Sequence, residues 1–163
     1  MVSIRPEGVG FATDAPVRAV ATRDLAATPE VVFDTLADAA SWPRWFPGMR
    51  RCEWLTEPPH QIGSRRRVVV GALRLDERFV VWDRPHRWGF TFEAANLPLA
   101  YAGVELIDLE PLDAETTRVR YTMAIEPPRL AAPLARRGTP AIHRTLDGAL
   151  AGLERHLAGS TTA

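Results

Sequence analysis

The C-terminal part of this chain restricts its folding more than any other. Ile142, Leu146, Ala149, Leu150, Leu153 and Leu157 recur at helical spacing, which makes one face of a long helix apolar. Gly138-Thr139-Pro140 supplies its start, a cap residue followed by proline at the first helical position, and Gly159 is a natural stop. Before it, residues 51–125 alternate with period two. Strand-like runs cover 51–57, 64–70, 73–82, 86–93, 101–109 and 117–125, and Gly71-Ala72 is a two-residue hairpin turn. A seventh strand, 17–25, stands ahead of Thr28-Pro29, which caps a helix carrying Val31, Val32, Phe33 and Leu36. A second short helix starts near Ser41 with Trp42, Trp45 and Phe46 and stops at Pro47-Gly48. A further helical piece is expected around 130–137.

A sheet of seven strands has an apolar face that must be covered, and only the last helix is long enough to do so. The predicted fold is therefore α+β, a helix-grip: a curved seven-stranded antiparallel sheet around a long C-terminal helix, with two short helices after the first strand. Side chains do not easily fill the space inside such a curve, so a cavity is expected. Residues 1–16 read as a loosely attached N-terminal arm, 17–158 as one domain and 159–163 as a C-terminal tail.

Composition narrows the chemistry. All 20 basic residues are arginine, so Schiff-base chemistry on a side chain and a phosphate loop with its lysine are both excluded. Twenty acidic residues balance them, leaving no overall field to draw nucleic acid or an anionic membrane. His60, His86, His143 and His156 never fall at metal-ligand spacing, and no metal or other cofactor is expected. Cys52 is the only cysteine, no signal-peptide pattern opens the chain, and no run is long enough for membrane insertion. A cytoplasmic location is the expectation, with the oligomeric state left open.

Several short pieces resemble the START-like (SRPBCC) superfamily, and most closely its polyketide cyclase/dehydrase-like branch. They are Ala27-Thr28-Pro29-Glu30-Val31-Val32-Phe33, Leu36-Ala37-Asp38 with Trp42-Pro43-Arg44-Trp45, Gly63-Ser64-Arg65-Arg66-Arg67-Val68, Trp82-Asp83-Arg84-Pro85 and Thr116-Thr117-Arg118-Val119. The resemblance spans about residues 17–158 and implies the helix-grip fold. It leaves the reaction open, because these motifs mark turns and helix starts.

Glu77 interrupts an apolar strand face between Leu75 and Phe79, and a buried carboxylate needs a partner, a proton or water. Arg66, Arg67 and Arg23 are the candidate partners. Glu77 is either half of a sheet-fixing salt bridge or a pocket acid/base, with Arg66 the arginine paired with it as a catalytic candidate. Glu105 occupies a comparable position beside Ile107 and Leu109. Phe79, Trp88, Phe90, Tyr101, Tyr121, Met123, His143, Leu146, Leu150 and Leu153 are the expected ligand-binding residues. Ser64 and Cys52 lack the companions of a nucleophile. The segment Ala94-Ala95-Asn96-Leu97-Pro98-Leu99 is either packing for the terminal helix or a flap at the cavity mouth.

Three functions fit this pattern. The first is binding of a hydrophobic small molecule, such as a polyketide, isoprenoid or lipid-like compound. The second is cofactor-independent cyclisation, aldol condensation or dehydration of such a molecule. The third is a protein-interaction module resembling the superfamily's ribosome- or quinone-associated members.

Overall fold

The computed structural model describes residues 1–98, 100–129 and 137–160. Its elements are β1 (Val2–Ser3), α1 (Phe11–Asp14), β2 (Val17–Leu25), α2 (Pro29–Ala37), a 3₁₀ turn (Ala39–Ser41), α3 (Trp42–Trp45), β3 (Met49–Trp54), β4 (Arg65–Val70), β5 (Leu73–Asp83), β6 (Arg87–Ala95), β7 (Ala102–Pro111), β8 (Thr117–Glu126) and α4 (Thr139–Ser160). The sheet runs β2-β8-β7-β6-β5-β4-β3, antiparallel throughout, so every neighbour but β2–β8 is also consecutive in sequence. The α+β helix-grip arrangement is as expected. The helical piece anticipated at 130–137 falls almost wholly outside the described residues, as does the end of the C-terminal tail.

Local chemistry sets the element ends. Thr28 caps α2 by accepting from Val31 N, with Pro29 in the first helical position. Asp38 caps the 3₁₀ turn. Trp42 Nε1 donates to Leu36 O at 2.8 Å and Trp45 Nε1 to Ser41 Oγ at 3.1 Å, so both indoles are fixed while their rings pack inward. Gly71 turns the β4–β5 hairpin with φ of 55°, a conformation that costs other residues energy.

The terminal helix lies along β2 and β8 and touches α3. Leu146, Ala149, Leu150 and Leu153 are fully buried beneath it. Its approach to α3 depends on Gly152, where an added Cβ would stand 2.0 Å from the Trp45 carbonyl oxygen.

Two sequence expectations need correction. The first 16 residues are not loosely attached. β7 pairs with β6 only over Arg87–Thr91, and the free edge beyond is taken by β1, opposite Ala94 and Ala95. Ile4 is buried, and α1 covers the convex face, where Ala12 packs with Val104, Leu106 and Ala124. Those outward apolar side chains need a cover, and the N-terminal segment provides it. The second correction concerns the simple alternation expected over 73–82, which would put Val81 on the same face as Phe79. A bulge after Phe79 skips one residue against β6 and reverses the alternation. Trp82 therefore packs inward against Phe33, Phe79 and Trp88, while Val81 joins the convex cluster.

Candidate functional site

A cavity of about 230 Å³ lies between the concave sheet, α3 and the first turns of α4. Its wall is apolar: Trp42, Phe46 and Met49 from the short helix and β3, Val68, Val70, Leu73 and Leu75 from the β4–β5 hairpin, Phe90 and Phe92 from β6, Met123 and Ile125 from β8, and Ile142 from α4. Five polar side chains also line it: Arg66, Glu77, Glu105 and Tyr121 on the sheet, and Thr145 beside Ile142 on the helix.

Strand register assembles the polar set. Arg66 on β4 is directly opposite Glu77 on β5, and Arg66 Nε donates to Glu77 Oε2 at 2.5 Å. Their side chains are 1% and 3% exposed, so this is an ion pair inside the protein. Tyr121 is opposite Ile107, which places its hydroxyl diagonally next to Glu105, to which it is hydrogen-bonded. The Arg66 guanidinium carbon sits 4.2 Å from the Trp42 ring centre, 4.7 Å from both Trp88 and Phe90, and 5.5 Å from Phe79. This aromatic cage favours a cation electrostatically. Among the described residues Arg66 Nη1 is nevertheless buried with no hydrogen-bond acceptor.

The protonation pattern follows from one guanidinium and two acids. Burial weakens the hold of Arg66 on its proton, but the Glu77 carboxylate more than compensates, so Arg66 stays charged. Burial pushes Glu77 upward while Arg66 pulls it back. Glu105 rises to about 8, first from burial and then from the Glu77 charge, so it carries a proton at neutral pH. Burial and the neighbouring Glu105 push Tyr121 well above its ordinary range. Burial raises the Cys52 thiol to about 11, leaving it neutral and no nucleophile. The floor is thus net neutral: one cation, one anion, one neutral acid and one neutral phenol.

Of the residues singled out from the sequence, Glu77, Arg66, Phe90, Tyr121 and Met123 meet at the cavity. Phe79 and Trp88 are buried just behind it, as part of the cage around Arg66. Leu146, Leu150 and Leu153 are packed solid under α4 and do not line the space. Tyr101 is corrected outright: it precedes β7 at the turn and is 48% exposed. His143 is also exposed, because the buried face of α4 is centred on Leu146 and Leu150. Arg23 and Arg67, the other candidate partners of Glu77, bind Asp147 with Glu154 and Asp76 respectively. Asn96 pins the hairpin tip, its Nδ2 donating to Ala72 O and its Oδ1 accepting from Arg74 N, while Leu99 at the end of its segment lies outside the described residues. Sequence reasoning missed Trp42, Met49 and Phe92 as wall residues. Trp42 packs against Trp45 and Phe46 in its short helix and also walls the cavity.

Among the described residues no group of His, Cys, Asp or Glu is arranged to hold a metal ion, and no helix is long and apolar enough to cross a membrane.

A family described as polyketide cyclase / dehydrase and lipid transport matches residues 16–158. The chain belongs to this family. The family in turn lies within the START-like helix-grip superfamily. Uncharacterised family relatives from Mycobacterium tuberculosis and Mycobacterium bovis are 32% identical over 118 residues, 72% of this chain and 70% of theirs. Among solved structures, a Thermus thermophilus protein superposes with a TM-score of 0.73 at 21% identity, covering 88% of this chain and 98% of its own. A Streptomyces aromatase/cyclase superposes with a TM-score of 0.69 at 20% identity, covering 85% and 92%. At such identities the superpositions establish the helix-grip fold shared across the cyclase/dehydrase family and nothing finer.

Proposed function

We propose that this protein binds a small apolar molecule of mono- or bicyclic aromatic size, with an oxygen at one end accepting a hydrogen bond from Arg66. The observation that carries this reading is a mainly apolar cavity lined by Arg66, whose Nη1 is buried without an acceptor. A buried donor without an acceptor is costly, and a ligand oxygen would satisfy it. The cavity volume favours a compact ring system over a long acyl chain or a large fused polyketide, since pockets for drug-sized ligands measure about 300–1,000 Å³. Family membership supports hydrophobic-ligand binding in general terms. Mass spectrometry of small molecules released from gently purified, then denatured, protein tests the reading. A retained aromatic or isoprenoid compound is the expected result. No retained compound, together with no thermal stabilisation by a panel of aromatic ketones, would refute it.

One observation favours catalysis as a second reading. Glu105 holds a proton near neutral pH beside an arginine suited to a developing enolate oxygen, a pairing that serves cyclisation or dehydration without a cofactor. The proton carrier in this reading is Glu105, because Glu77 is committed to Arg66. If so, Glu105→Gln lowers turnover of a poly-β-ketone mimic by about 10²- to 10⁴-fold with ligand affinity retained.

A further inference from the structure

We infer that the cavity accepts an electrically neutral ketone, quinone or ester and rejects the carboxylate of the same shape, a selection that rests on the binding reading above. The floor's guanidinium is already paired with an acid, and this pairing is what selects. Arg66 already has its counter-ion in Glu77, at 2.5 Å and directly across the strand pair. Glu105 stands on the next side of the same space with the Tyr121 hydroxyl as its partner. The remaining ionisable group facing Arg66 is Cys52 on β3. A site built for an organic anion would leave its arginine free of acids, so that the ligand itself supplied the negative charge.

A neutral oxygen beside the Arg66 guanidinium leaves every charge on the floor where it is. A carboxylate in the same place brings a second negative charge into a space walled by Val68, Phe90, Phe92 and Met123. It then has to displace Glu77 from Arg66 or sit unpaired beside it, and both options disfavour binding. Glu77 therefore acts as a filter on charge, while the apolar wall filters shape.

The test compares 2-acetonaphthone with 2-naphthoate, which share a ring system and differ in the charge of the group that would reach Arg66. Titration calorimetry on the wild-type protein at pH 7 is expected to show the ketone binding at least about tenfold more tightly. Glu77→Gln removes the acid that occupies Arg66, so the order should reverse, with naphthoate raising the Tm of this variant more than the ketone does. Glu105→Gln leaves the floor neutral and should keep the ketone preference. Should Glu77→Gln fail to fold, the wild-type pair and Glu105→Gln decide the matter. Naphthoate binding the wild type as tightly as the ketone overturns the charge filter and leaves cavity binding standing. If neither compound binds nor shifts the Tm, both readings fall.

Discussion

Arg66 and Glu77 face each other across the β4–β5 pair with 2.5 Å between Nε and Oε2, and neither reaches solvent. The two partners respond differently to loss of the other. A buried carboxyl can take up a proton and become neutral, but a guanidinium cannot give one up.

Glu77→Gln is therefore expected to cost about 3 kcal/mol, because it leaves a charged Arg66 in the core. Arg66→Met should cost less, since Glu77 can protonate and the methionine can fill the aromatic cage. The double variant should return to within about 1 kcal/mol of wild type. Urea unfolding of all four proteins, read as a double-mutant cycle, measures the coupling. Equal costs for the two single variants would contradict the ion-pair account.

Glu105 gives stability a definite pH dependence. Its folded carboxyl keeps a proton to about 8, well above the usual carboxylate value at which the unfolded chain ionises. Between those two points the folded state holds more protons, so stability falls as pH rises, by about 1.4 kcal/mol per unit from this group. Glu77 is shifted in the same direction and adds to the slope. Glu105→Gln should be more stable than wild type at pH 8, with the difference shrinking toward pH 5. Denaturant unfolding at both pH values decides it.

Tyr121→Phe removes the hydroxyl that is hydrogen-bonded to Glu105. That bond holds the carboxyl down, so its loss should move the Glu105 titration above 8 and cost about 1–2 kcal/mol. A carbon-13 NMR titration of the side-chain carboxyl groups follows the shift directly. An unmoved Glu105 resonance would mean that the phenol has no part in setting its proton.

Two glycines should respond differently to alanine. At Gly103 the new Cβ would lie 2.1 Å from the Phe92 ring, which can tilt into the cavity. Gly103→Ala is therefore expected to weaken ligand binding, with a stability loss of about 1–3 kcal/mol. At Gly152 the obstacle is the Trp45 backbone, 2.0 Å away, and only movement of the whole of α4 relieves it. Gly152→Ala should lose more stability. Thermal unfolding and ligand titration of the pair separate the two effects.

Much of this architecture was readable in the residues. Strand β2 ends where its pattern ends, and the inward faces of β6 and β8 follow simple alternation. Glu77 drew attention because a charge broke an apolar face, and Arg66 was among its candidate partners. β7 was harder, because Val104, Glu105, Leu106 and Ile107 are all buried. One of its faces meets the cavity side and the other meets the N-terminal segment, so no alternation survives to show which way Glu105 points. The bulge that turns Trp82 inward depends on pairing with β6 and leaves no local signal. His143 and Tyr101 were misplaced for a different reason: each lies at the margin of its element, where a small rotation decides between inside and out.

The run Arg65-Arg66-Arg67 also bears on how such a site can change over evolutionary time. Each of these three arginines is paired with a carboxylate: Arg65 with Glu93, which it shares with Arg78, Arg66 with Glu77 and Arg67 with Asp76. Strand neighbours point to opposite faces, so a one-residue insertion or deletion in the turn before β4 would bring a different arginine into the cage. The inward cation opposite Glu77 would survive that slippage, while the rest of the strand's inward face would change. A descendant of this chain could thus remodel the cavity wall by sliding one strand while an arginine stays in the cage.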